Sequence, residues 1–143
     1  MKNLNRFPIL LLTLVLLCSF TLQTEKVYVG KWEGKDQGDI GFLTLTSDGY
    51  AVFEFDGQTM GGKSFKHRTI DNASMRYVID EKSQPFTIDF IIINNENNEE
   101  IMSSKGIISI KSTDEMELAL NFSGTERPKD FSENNITFAR YKE

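Results

Sequence analysis

From residue 27 to residue 141 the chain is cut by turn residues into short apolar or alternating runs, and no window sustains an i, i+3, i+4 apolar stripe through three helical turns. That texture restricts the chain to an all-β fold. Strands are expected at 27–33, 40–46, 50–55, 65–70, 75–79, 86–93, 103–111, 116–122 and 135–141. With no helix between them, about eight strands at this spacing predict a single antiparallel up-and-down barrel, because closure removes the exposed edges that an open sheet would carry.

Turn chemistry refines the order. Ser47-Asp48-Gly49 is a strong hairpin signal, since Asp and Gly tolerate the positive φ that such turns need. Leu43, Leu45, Ala51, Phe53 and Phe55 then share one face, expected to be the inner one. Residues 56–63 hold Gly57, Gly61 and Gly62 and read as a loop at a barrel mouth. They lack the helix that a phosphate-binding loop must lead into. A further turn is expected at Asp71-Asn72-Ala73. In the strand after Pro85, Phe86, Ile88, Phe90 and Ile92 alternate with Thr87, Asp89, Ile91 and Ile93, so its second half is apolar on both faces and calls for a cover on the outer side. Residues 94–100 form a polar, acidic tip, read as solvated loop.

The N-terminus reads as a secretory leader, residues 1–21, followed by one domain at 22–143. Lys2 and Arg6 precede an apolar run that ends near Leu17, short of the roughly 20 residues a membrane span needs. Cys18 at the end of this run offers lipid attachment as a second outcome. Leu17 disfavours it, standing where Gly, Ala or Ser ordinarily precedes a lipidated cysteine. Periplasmic or extracellular residence follows. With Cys18 in the leader, the domain keeps no cysteine, and stability must come from apolar burial and strand pairing. The net charge of -5 and scattered basic residues argue against nucleic-acid binding and against docking on anionic lipid.

Catalytic signals are poor. The one histidine, His67, sits between Lys66 and Arg68 and is expected at a solvated strand position. No nucleophile elbow, zinc-ligand set or separated carboxylate pair is evident. The expectation is a non-enzyme with no metal and no cofactor.

Gly30-Lys31-Trp32 lies in the first expected strand, and Arg140 lies in the last, on the same strand face as Ile136 and Phe138. The loop Arg127-Pro-Lys-Asp-Phe131 is expected to be fixed at the rim. Pro128 sets φ, Phe131 tucks back toward the core, and Arg127 pairs with a carboxylate or caps carbonyls, with a grip on an anionic ligand as the alternative. Gly30-Lys-Trp32 is similar to the Gly-X-Trp signature of lipocalins and other calycins. Together with Met75-Arg-Tyr-Val-Ile-Asp80, Gln84-Pro-Phe-Thr-Ile-Asp-Phe90, Gly106-Ile-Ile-Ser-Ile, the Arg127 loop and Phe138-Ala-Arg140, it resembles a family of small bacterial lipocalin-like domains of exported proteins. Ile108 departs from that pattern, where an aromatic is common. The resemblance implies a calycin-type barrel in which Trp32 plugs the closed end beneath Arg140, and it implies no established chemistry.

Two functions are expected from different classes. The first is a small apolar or amphipathic ligand held in a lumen lined by Leu43, Leu45, Phe53, Phe55, Phe90, Ile92, Leu118, Leu120 and Phe122. Eleven phenylalanines press instead toward a filled core. The second is an inhibitor or immunity-type module that binds an envelope or secreted protein through residues 91–93 and the 94–100 loop.

Overall fold

The computed structural model describes residues 25–35, 41–121 and 125–143. The expected leader, Cys18 and Phe122 lie outside the described residues. Among the described residues ten strands form one antiparallel sheet: β1 (Gly30–Gly34), β2 (Phe42–Leu45), β3 (Ala51–Phe55), β4 (Gln58–Gly61), β5 (Phe65–His67), β6 (Ile70–Asp80), β7 (Phe86–Asn94), β8 (Glu100–Ser112), β9 (Glu115–Leu120) and β10 (Asn135–Arg140). Their order is β4-β3-β2-β1-β10-β9-β8-β7-β6-β5, so β1 and β10 pair and the remaining neighbours follow the chain.

The sheet curls into a nearly closed barrel. The seam lies between β6 and the β3–β4 edge, where Met75 N donates to Gly62 O at 2.9 Å, Tyr77 N donates to Gly49 O at 3.0 Å, and Tyr50 bridges to Arg76. Both edges are partly satisfied there, which limits the strand-addition hazard of an open sheet.

Ten strands replace the expected eight or so, for two local reasons. Residues 56–63 do not form one loop: Asp56 and Gly57 make a tight turn, and Gln58–Gly61 returns as β4 against β3. Gly61 carries φ +118, and a Cβ there would sit 2.2 Å from Ala51 O, so the close approach of β4 to β3 requires glycine. The expected 65–70 strand is broken by a two-residue turn at Arg68 and Thr69, with Arg68 at φ +52, and β6 runs unbroken through the expected turn at Asp71-Asn72-Ala73.

Alternation fills the interior. Leu43 faces Phe53 and Leu45 faces Ala51 across β2–β3, while Ile108 faces Leu118 across β8–β9. These side chains, with Trp32, Phe90, Ile92, Met116, Leu120 and Phe138, belong to one buried cluster, none more than 3% exposed. The described residues contain no helix long and apolar enough to cross a membrane.

Candidate functional site

The barrel has two unlike ends. At one, β1 and β10 place Trp32 opposite Arg140 in register. The Arg140 guanidinium carbon lies 4.2 Å from the centre of the Trp32 ring, and Trp32 is fully buried. The fork of Arg140 donates to Thr113 O at 2.6 Å, to Val29 O at 3.0 Å and to Val27 O, which ties the 27–29 segment and the turn after β8 to one side chain. The indole Nε1 donates to Tyr28 O at 2.9 Å. Gly30, at φ +133, leaves room for this: a Cβ there would lie 2.7 Å from Arg140 Nη1. Tyr28 and Tyr77 meet edge to face beside the plug, and Tyr77 Oη donates to Thr46 O at 2.7 Å. Burial, then the neighbouring Tyr28, Asp48 and Glu25, push the Tyr77 phenol up to about 12, so it stays a neutral donor. This end is sealed.

At the other end a cavity of about 50 Å³ remains, lined by Phe53, Met60, Met75, Phe90, Ile92, Met102, Ser104 and Leu120. The structure therefore brings together four of the expected lumen residues, Phe53, Phe90, Ile92 and Leu120. Leu43, Leu45 and Leu118 are packed away from it in the filled core, and Phe55 is half-buried against that core. Such a volume is far below the roughly 300 Å³ at which drug-sized ligand pockets begin. Only the end of a chain, or something of a few heavy atoms, fits without movement.

Sequence reasoning missed the methionines. Met60 fell within an expected loop. Met75 and Met102 meet only through register, because both lie opposite Ile92, one on each side of β7. The signal that points to them is the inward alternation of Met75 and Met102 at the level of Ile92.

The Arg127 loop lies as a strap on the outer wall, where Arg127 pairs with a carboxylate and caps a carbonyl. Arg127 Nη1 donates to Asp89 Oδ1 and to Gly106 O, both at 2.7 Å, and lies 3.4 Å from Ile88 O. Its charge is spent on protein partners. Ile107 and Ala119, which alternation turns outward, are 3% and 0% exposed, and the strap pinned beside Gly106 crosses this wall. Phe131 does not enter the core: it is half-buried outside the barrel, with Lys111 Nζ 5.7 Å from its ring centre. Pro128 lines a polar groove of about 350 Å³ along the strap with Arg127, Lys129 and Asp130.

His67 is half-buried rather than fully solvated. It packs edge to face on Phe65 with ring centres 6.0 Å apart, and its Nε2 is buried with no hydrogen-bond partner among the described residues. Burial, and then the Arg68 charge, hold its pKa below the usual imidazole value. The 94–100 tip is exposed yet tied down: Asn95 N donates to Asn72 O at 3.0 Å, and its side-chain amide donates to Lys63 O and Asn72 Oδ1. Ile91 and Ile93, which lead into it, are half-buried, and Val78, 56% exposed, lies farther along the wall opposite Asp89. Among the described residues no group of three or more His, Cys, Asp or Glu side chains is placed to hold a metal ion.

No protein-family model, curated protein or solved structure matches the chain.

Proposed function

We propose that this is an exported, non-enzymatic, lipocalin-like barrel that takes the apolar end of a small amphipathic molecule into its methionine-lined mouth. The observation that carries the reading is the asymmetry of the barrel: one end shut by Trp32 and Arg140, the other left with a cavity whose lining is apolar except for Ser104. Three of the lining residues are methionines, whose unbranched, polarizable side chains repack readily and suit a site that must enlarge to admit a ligand. Burial of each methylene in such a site contributes about 0.8 kcal/mol, so a chain end of a few carbons supports weak to moderate affinity.

Equilibrium dialysis with decanoic acid tests this. Binding is expected, and Met102→Phe, which fills the cavity with a rigid ring, should weaken it at least tenfold. Equal binding by the variant, or none by the native chain, rejects the reading.

A second reading, a protein-binding module acting through the barrel exterior, is favoured by one observation. Val78, the most exposed of the large apolar side chains, lies opposite Asp89 in β7, two residues from the half-buried Ile91. Val78→Asp would abolish capture of such a partner and leave decanoate binding unchanged.

A further inference from the structure

Of the chain's five methionines, three line one cavity of about 50 Å³, while Met116 is sealed in the core away from it. They come from three strands, and the register explains their convergence. Met75 in β6 and Met102 in β8 flank Ile92 of β7, so their Cα atoms stand about 10 Å apart, two strand spacings, on the same inward face. Both side chains line the cavity together with Ile92. Met60 in β4 is inward opposite Phe53 and joins them across the seam, because Met75 N is bonded to Gly62 O, two residues beyond Met60. Met75 is 2% exposed, whereas Met60 and Met102 are only half-buried, so the trio is reachable from outside.

The donor set is chemically narrow. It offers three neutral thioethers and, at the wall, the Ser104 hydroxyl, with no carboxylate, imidazole or thiol in the lining. Hard cations such as Mg²⁺ and Ca²⁺ require oxygen donors, and Zn²⁺ takes nitrogen, thiolate and carboxylate, whereas soft thioethers select Cu(I) and its kind. A +1 ion loses about a quarter of the solvation that a +2 ion of the same size would lose on entering an apolar mouth, because that term scales with the square of the charge.

We infer that Met60, Met75 and Met102 form a thioether site for one soft monovalent cation of the Cu(I) or Ag(I) class. Nothing must be deprotonated for the ion to bind, so affinity is level with pH across the range where a histidine site would fade. This inference does not rest on the decanoate reading and can stand or fall without it.

The test is titration of Ag(I), which is redox-inert, into the full chain carrying Cys18→Ser, so that no thiol competes for the ion, and labelled with [methyl-¹³C]methionine. The methyl signals of Met60, Met75 and Met102 should shift together and saturate at one ion per chain, with Met116 unmoved. Met102→Leu and Met75→Leu, which conserve volume and so keep the fold, should each weaken binding at least tenfold. His67→Gln should leave it unchanged, and Zn²⁺ should move no methionine signal. Failure of Ag(I) to shift the three signals, unchanged affinity in both leucine variants, or loss of binding in His67→Gln overturns the inference.

Discussion

Arg140→Ala removes the side chain that covers Trp32 and ties the 27–29 segment to Thr113 at the sealed end. The stack on Trp32 is worth about 0.5 to 2 kcal/mol, and the burial of the indole places it toward the middle of that range. Each hydrogen bond from a charged donor is worth about 1.5 to 3 kcal/mol where water is excluded. Only the bond to Val29 O is shielded; those to Val27 O and Thr113 O lie at the surface, where water replaces the lost donor. The contact to Asp114, at 3.7 Å and half-exposed, adds little. The sum is about 3 kcal/mol, which at about 4 °C per kcal/mol for a domain of this size lowers the melting temperature by about 12 °C. Arg140→Lys keeps a cation over the indole but cannot reach three carbonyls at once, so about half the loss should return. Circular dichroism gives the midpoint, and acrylamide quenching of Trp32, the single tryptophan, reports the seal. If Arg140→Ala melts within 2 °C of the native chain, with Trp32 still shielded, the plug reasoning is refuted.

Gly61→Ala must displace a backbone carbonyl 2.2 Å from the new methyl and adopt an unfavourable φ, and it should cost about 3 kcal/mol or more in urea unfolding. Gly57→Ala, at φ +71 but with nothing within 4 Å, should cost about 1 kcal/mol, and equal losses at the two sites would contradict the close approach of β4 to β3. Arg127→Ala leaves Asp89 and two carbonyls without their donor; a loss of about 2 kcal/mol is expected, reduced by partial exposure, with decanoate affinity unaffected. The His67 pKa is depressed in the folded state, so the folded chain resists protonation and the unfolded chain takes the proton more readily. Stability is therefore constant above the unfolded value near 6.5 and falls as pH drops below it toward the folded value, a slope that His67→Phe should remove.

The sequence carried the period-2 alternation strongly, because one face of nearly every strand is apolar and a slip by one residue would turn Leu43, Phe53 or Leu118 outward. The all-β class and the strands with clear alternation were legible for that reason; the expectation that Arg140 lies over Trp32 comes from the resemblance of Gly30-Lys-Trp32 to the Gly-X-Trp signature, and the guanidinium carbon stands 4.2 Å from the ring centre. Two short strands were not. Glycine lowers strand propensity, and only the tight β3–β4 contact reveals why Gly61 belongs within a strand. The turn at Arg68 and Thr69 contains no Gly, Pro, Asn or Asp and left no signal. The mouth was the least legible part, since Met60, Met75 and Met102 are far apart in sequence and individually unremarkable. Register with Ile92 and the seam at Gly62 assemble them, and neither is written in any local pattern.

The central claim is that the barrel is shut at the tryptophan end and receives its ligand at the methionine end. Titration of decanoic acid, read at once on the labelled methionine methyls and on the indole N–H of Trp32, tests it most directly. The account predicts movement of the Met60, Met75 and Met102 signals while Met116 and the indole stay still; movement of the indole and Met116 with the other three unchanged would contradict it.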